Sequence, residues 1–169
     1  MDSLTLLKKQ LSNLRELSGN ALAGLTDETI NWVPSGTANS IGVNLLHMVG
    51  GEDYFINVLV RKQEMVWNAQ WAQTVGVPIP PGGSPETWTQ AKAAHLPLES
   101  LLAYIQAVWQ AREAYLAQLS NDDLDQSVDL FGQPGTLADL LSMTISHSST
   151  HLGEISVIKG LQGLTGWPY

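Results

Sequence analysis

The apolar residues of this chain recur at intervals of three and four along four long segments. In the first segment leucines occupy positions 4, 7, 11 and 14, which is the spacing of one face of an α-helix. Amphipathic helices bury their apolar faces against one another, so four of them predict an all-α protein, specifically a four-helix bundle. The predicted helices begin at Ser3 (as N-cap), near Ser40, at about Leu98 and at Thr136 (as N-cap), and they end after Gly24 and near Arg61, Leu119 and Gln162.

The segments between these helices are irregular in sequence. Gly24 and the TDET segment are predicted to end the first helix, and NWVPSG is predicted to form a turn. Residues 64–97 contain VGVPIPPGGSP, with four of the eight prolines, and are predicted to be mainly a long loop. A connection of this length often covers a pocket or crosses the end of a bundle. The acidic, turn-rich segment NDDLDQSVDLFGQPG has room for a short extended piece. With 169 residues and no internal repeat, one domain over residues 1–169 is expected.

Charge and composition exclude several classes of function. The net charge is −8, with only eight basic residues scattered along the chain, so the surface repels nucleic acids and anionic lipid. Cysteine is absent, which leaves His, Asp and Glu as the strong metal ligands. The first residues lack the apolar core of a signal peptide, and no apolar run is long enough for a membrane helix. A cytoplasmic protein that binds neither nucleic acid nor membrane is therefore expected.

The stretch HSSTHLGEI raises the main functional question. His147 and His151 stand four residues apart and, at about 100° per residue, share a helix face with Leu140 and Ile155. Imidazoles on an apolar face are costly to bury unless each finds a partner. The residues alone leave two interpretations open. The histidines are either hydrogen-bonded core residues or ligands of one metal ion.

A third histidine favours the metal-ligand interpretation over that of hydrogen-bonded core histidines. His47 lies on a second inward face of its helix, and Gly51, one turn later, leaves room beside it. Three of the four histidines thus lie on helices that are predicted to pack together. The fourth, His95, precedes a leucine–proline pair and is predicted to be a solvated loop residue.

Three charged residues are further candidates for the site. Glu52 falls on the apolar stripe of the second helix and Arg112 on that of the third, so each needs a partner or a function. We predict that they lie within salt-bridge reach, or that Glu52 approaches the metal; Arg112 is also a candidate for binding a substrate anion. Glu154, one turn past His151, is expected either to support a ligand or act as a base, or to be an ordinary surface carboxylate.

Two long stretches resemble the DinB/YfiT-like proteins of the DinB superfamily. They are LTDETINWVPSGTANSIGVNLLHMVGGEDY and LSNDDLDQSVDLFGQPGTLADLLSMTISHSSTHLGEISVIKGLQGL. They contain the Trp-x-Pro turn, the Ser-Ile-Gly helix start, the histidine of the second helix and the H-x-x-x-H-x-G-[EQ]-I motif that are typical of the family. Any one of these motifs is weakly specific, whereas the set is fairly specific.

The resemblance implies a bundle, commonly homodimeric, in which three histidines hold one divalent metal ion. Carried over position by position, those ligands are His47, His147 and His151. Zinc and nickel suit imidazole ligands best, and iron is also compatible. Family members of known activity include thiol-dependent S-transferases and a thiol-dependent maleylpyruvate isomerase. The resemblance therefore favours an enzyme that activates a low-molecular-weight thiol for attack on a small electrophile.

The sequence argues against two other classes of enzyme and leaves one non-enzymatic function open. Ser148 stands where the H-E-x-x-H zinc proteases carry their glutamate base. Ser148 and Ser149 also lack the strand–turn–helix setting of a hydrolase nucleophile. The remaining alternative to an enzyme is a metal-binding bundle without catalysis, acting in stress response, sensing, storage or protein interaction.

Overall fold

The computed structural model describes residues 1–78 and 84–166 of the chain. The helices are α1 (Ser3–Leu22), α2 (Asp27–Asn31), α3 (Ile41–Asp53), α4 (Ala69–Val75), α5 (Pro85–Ala93), α6 (Leu98–Leu116) and α7 (Leu137–Leu161). A π-helical segment (Tyr54–Val60) continues α3, and a 3-10 turn spans Asn121–Asp125. Strands β1 (Ser127–Leu130) and β2 (Gln133–Thr136) form an antiparallel hairpin in front of α7.

The four long helices form the predicted bundle. Helix α7 packs against α1 and α3, and α3 also packs against α6. Leucine, isoleucine and valine side chains from these helices fill the interior, so the periodic apolar faces account for the fold. None of the described helices is both long enough and apolar enough to cross a membrane.

The helix starts follow the capping rules, with one correction. Thr136 caps α7 as predicted, and Ser40, near which the second long helix was predicted to begin, caps α3. Each side chain accepts a hydrogen bond from a backbone N–H of the first turn. The predicted Ser3 cap of α1 is wrong. Asp2 performs this role because its carboxylate accepts from the Thr5 N–H at 2.7 Å, and Ser3 is the first helical residue.

The connections contain more structure than their composition predicts. The TDET segment, expected only to end the first helix, begins the short helix α2 with a capping box between Thr26 and Thr29. The 64–97 connection contains α4 and α5, although residues 79–83 of its proline-rich stretch lie outside the described residues. The third long helix ends at Leu116 instead of Leu119. The short extended piece expected before the last helix is the β1–β2 hairpin.

A buried carboxylate ties the start of the long connection to the bundle. Asp53, the last residue of α3, is 0% exposed. It accepts hydrogen bonds from the backbone N–H groups of Val66 (2.9 Å) and Trp67 (3.0 Å). The Asn57 side chain (2.7 Å) and the Tyr104 hydroxyl (2.8 Å) donate to it as well. Asp53 thus joins α3, α6 and residues 66–67 at one point.

The predicted contact between Glu52 and Arg112 is present. Nη1 of Arg112 donates to Oε1 of Glu52 at 2.9 Å, and both residues are 2% exposed. Burial raises the pKa of the Glu52 carboxyl above its usual value, and the neighbouring Arg112 guanidinium opposes that shift. The ion pair therefore links α3 to α6 inside the bundle.

Candidate metal centre

Three histidine side chains converge between α3 and α7. His47 projects from α3, and His147 and His151 project from successive turns of α7. Within the described residues these three form the one group whose potential ligand atoms all lie within 4.8 Å of one another. Nε2 of His147 lies 3.3 Å from Nε2 of His47, and the ring centroids are 4.6–5.1 Å apart. The residues predicted from the sequence as ligands are therefore brought together.

A glycine makes the approach of His147 to α3 geometrically feasible. A Cβ atom added at Gly51 would lie 2.8 Å from Cε1 of His147. Because Gly51 lies one turn after His47 on α3, the ring of His147 fits against bare backbone beside that histidine. The glycine therefore sets how closely the two helices bring their imidazoles together.

Glu154 orients one of the three rings. Its Oε2 lies 2.7 Å from Nδ1 of His151, and since a carboxylate only accepts, Nδ1 carries the hydrogen. In the neutral ring Nε2 then has a free lone pair. A carboxylate behind a histidine is a common way of fixing the tautomer of a metal ligand. The candidates Glu52 and Arg112, by contrast, pair with each other and do not belong to the histidine group.

Burial keeps two of the imidazoles uncharged. Desolvation lowers the pKa of His47 from 6.5 to about 4, with a smaller contribution from the positive charge that His151 would carry. Desolvation also lowers the pKa of His147 from 6.5 to about 4, and the other two histidines add to this effect. Both rings are therefore neutral at pH 7, which is the form that binds a metal ion.

Aromatic side chains that the sequence did not single out for the site enclose the histidines. Trp88 of α5 lies against His47, with ring centroids 4.4 Å apart, and Phe55 contacts His147 edge to face at 5.4 Å. Phe131, at the hairpin turn, packs in turn against Phe55. Trp88 belongs to the 64–97 connection, so this segment covers one side of the histidines.

The donor set fits a divalent ion. Three nitrogen donors from half-buried rings lie close together, two of them are held neutral, and the third is oriented by a carboxylate. Zinc, nickel and iron accept imidazole ligands of this kind. His47, His147 and His151 are the residues that would hold such an ion.

We expect Gly51→Ala to weaken metal binding although alanine favours a helix by about 1 kcal/mol over glycine. The added methyl group would force the His147 ring away from His47. The affinity for zinc, measured by competition with a chelating dye, should fall by about 10-fold to 100-fold, the range for altered support of a ligand. Gly19→Ala is the matched control, because a Cβ there meets nothing within 4 Å. Equal affinities in both variants would contradict this role.

The metal-free protein should lose stability as the pH falls from about 6.5 to about 4. In this window the unfolded chain takes up protons at His47 and His147 that the folded protein excludes, because folding lowers both pKa values. Below about pH 4 both histidines are protonated in the folded and the unfolded protein, so they cause no further change in the free energy of unfolding. Thermal unfolding with a chelator present should show a steeper pH dependence for the wild type than for His147→Gln. Identical slopes would contradict the lowered pKa of His147.

The chain is similar to known proteins in sequence and in fold. The sequence pattern of the DinB superfamily matches residues 10–155, which include all three histidines. The fold is similar to that of a conserved protein from Enterococcus faecalis, with a TM-score of 0.78 and 21% identity over 95% of this chain and 97% of the other. A DinB-like protein from Bacillus cereus ATCC 10987 is similar with a TM-score of 0.63 and 17% identity over 96% and 95% of the two chains. No curated protein matches the sequence. The chain belongs to the DinB superfamily.

Proposed function

We propose that this protein is a metal-dependent enzyme that transfers a low-molecular-weight thiol to a small electrophile. The observation that carries the proposal is the convergence of His47, His147 and His151. The thiol chemistry rests on the resemblance to superfamily members that are thiol-dependent S-transferases. In such a reaction a carbon–sulfur bond forms, the leaving group departs with the electron pair of its bond to carbon, and the thiol proton is released.

The proposed cofactor is one divalent ion, zinc or nickel by ligand preference, with iron also compatible. Three histidine ligands leave further coordination positions, as in catalytic and unlike structural zinc sites. When bound, the ion would supply Lewis acidity, which favours the deprotonated form of a thiol or water molecule next to it.

The protein's own groups would orient and protect the reactants. Glu154 holds His151 through Nδ1, and 47% of its side chain is exposed, so this carboxylate is the proposed acceptor of the thiol proton. Trp88 and Phe55 provide apolar walls beside the histidines. Such walls exclude water, which would otherwise compete with the thiol for the electrophile.

The proposal is tested by incubating metal-loaded protein with a panel of cellular thiols and small electrophiles. Mass spectrometry should detect a thioether product whose formation requires both the metal and His147. The Glu154→Gln variant should retain the metal and form the product more slowly. Tight metal binding without turnover of any pair would instead favour the non-catalytic metal-binding bundle.

We also propose that the protein is a homodimer. The reasons are the habit of the superfamily and the prevalence of two-fold assemblies among small proteins. Sedimentation velocity at micromolar concentration should give a species of twice the 18.3 kDa chain mass. A single 18.3 kDa species would contradict this.

A further inference from the structure

A cavity next to the histidine group is lined by parts of α3, α7 and the segment before α3. Its volume is about 380 Å³, within the range of about 300–1,000 Å³ that is usual for small-molecule sites. Asn44, one turn before His47 on α3, lines the cavity. Glu154 lines it too, and its carboxylate lies 2.7 Å from His151. The cavity therefore borders the candidate metal centre between α3 and α7.

Asn44 presents a hydrogen-bond donor to this cavity. The residue is 3% exposed, and its Oδ1 accepts from Nδ2 of Asn39 at 3.2 Å. Its own Nδ2 has no hydrogen-bond partner among the described residues, yet it is not one of the unpaired side-chain atoms that solvent cannot reach. Because Asn44 lines the cavity, this N–H group is available to a ligand there. A donor on such a buried residue is stabilised by an acceptor oxygen.

The charge of the cavity argues against an anionic ligand. Glu154 contributes a carboxylate whose side chain is 47% exposed, and none of the described residues that line the cavity is basic. The chain as a whole has a net charge of −8. A carboxylate or phosphate would be repelled here. The acceptor oxygen that suits Asn44 therefore belongs to a neutral group.

Apolar side chains of α7 form the rest of the wall. Val157, Ile158 and Leu161 line the cavity, and Val157 and Leu161 are 64% and 63% exposed. A ligand that covers this apolar surface gains free energy. Gly153 leaves the space beside them open, since a Cβ atom added there would meet nothing within 4 Å. A suitable ligand thus combines a neutral acceptor with an apolar body.

We propose that this cavity binds a neutral amide group in the body of the thiol substrate. The amide carbonyl accepts from Nδ2 of Asn44, and the carbon chain beside it lies against Val157 and Leu161. The assignment to the thiol rests on the proposed function, in which Glu154, a lining residue, accepts the thiol proton. The amide site itself rests on the cavity alone, so it is expected to bind an amide without any metal ion.

The test is an NMR titration of the isotope-labelled, metal-free full chain with N-butylacetamide and, separately, with hexanoate. Hexanoate has as many non-hydrogen atoms as the amide but carries a negative charge. N-butylacetamide should shift the signals of the Asn44 side-chain amide and of the Gly153 and Val157 backbone amides, with a dissociation constant on the order of 1 mM. Hexanoate should bind at least about tenfold more weakly, because its carboxylate is repelled by Glu154 and loses hydration.

Two variants separate the contributions of the donor and of the apolar wall. Asn44→Leu removes the donor at nearly unchanged size, so the affinity for N-butylacetamide should fall about fivefold to tenfold, the effect of one hydrogen bond. Leu161→Gln removes apolar surface at an exposed position and should weaken binding about threefold. Leu6→Gln is the matched control, because Leu6 is also an exposed helix leucine and does not line the cavity. Its affinity should equal that of the wild type.

The proposal is overturned if N-butylacetamide shifts none of these signals, or if the amide and hexanoate bind equally well. Binding that neither Asn44→Leu nor Leu161→Gln weakens would overturn it as well. If Asn44→Leu fails to fold, Leu161→Gln and the hexanoate comparison still decide the outcome. Amide binding as expected, in a protein that transfers no thiol when loaded with metal, would support the amide site and contradict the transferase function. Thiol transfer without amide binding would do the reverse.

Discussion

Asp53→Ala is expected to destabilise the protein by roughly 3–5 kcal/mol, the range for removing one partner from a buried charged network. The carboxylate accepts from Asn57, Val66, Trp67 and Tyr104. Alanine would leave all four donors without this acceptor in a site that is 0% exposed. The start of the 64–97 connection should detach from the bundle as a result.

Denaturant unfolding followed by circular dichroism measures this loss of stability. Asp125→Ala is the matched control, since Asp125 is an exposed aspartate, and it should stay within about 0.5 kcal/mol of the wild type. Hydrogen exchange should show faster exchange of the Val66 and Trp67 amides in Asp53→Ala. A free energy of unfolding equal to that of the control would contradict the anchoring role of Asp53.

His147→Ala is expected to reduce the affinity for a divalent ion by more than about 100-fold. Replacing a residue that only orients a ligand typically costs about 10-fold to 100-fold, and removal of a ligand itself should cost more. His147 is one of only three candidate ligands in the described group, and its ring lies close to both His47 and His151. The helical circular dichroism should hardly change, because the apolar faces of the four long helices form the core without the ion.

Competition with a chelating dye gives the affinity, and thermal unfolding gives an independent measure. Zinc should raise the midpoint of unfolding of the wild type, since it binds the folded state, and should have little effect on His147→Ala. His95→Ala is the control, because His95 is an exposed loop residue, as predicted. If zinc stabilises His147→Ala as strongly as the wild type, His147 is not a ligand.

The fold was largely predictable because the long helices carry their signals locally. Leucine spacing defines α1, and Ser40 and Thr136 mark the starts of α3 and α7 with side chains that accept from the first turn. The short helices α4 and α5 were not predicted because they lack such local signals of sufficient length. Helices α4 and α5 have only 7 and 9 residues, too few for a periodic face to stand out. Ser84 followed by Pro85 was a usable helix-start signal for α5.

The histidines of the candidate site were predictable, whereas their surroundings were not. The spacing of His147 and His151 places both on one helix face. His47 was identified from an inward face of its own helix, and the family resemblance then implied that all three are ligands. The aromatic contact of Trp88 depends on how α5 lies across α3, which local sequence does not encode. The same holds for Asp53, whose partners are up to 51 residues away along the chain. A polar residue on an apolar stripe signals the need for a partner, as for Glu52 and Arg112, but does not locate a multi-partner network.

The central claim is that three histidines from α3 and α7 form one metal site, and elemental analysis tests it most directly. The protein should be purified without a histidine tag, exposed to divalent metals and separated from unbound ions. We predict about one ion per wild-type chain, as three ligands at a single site require, and much less in His147→Ala. If the wild type holds no more metal than His147→Ala, the three-histidine site does not exist and the proposed metal-dependent activity is wrong.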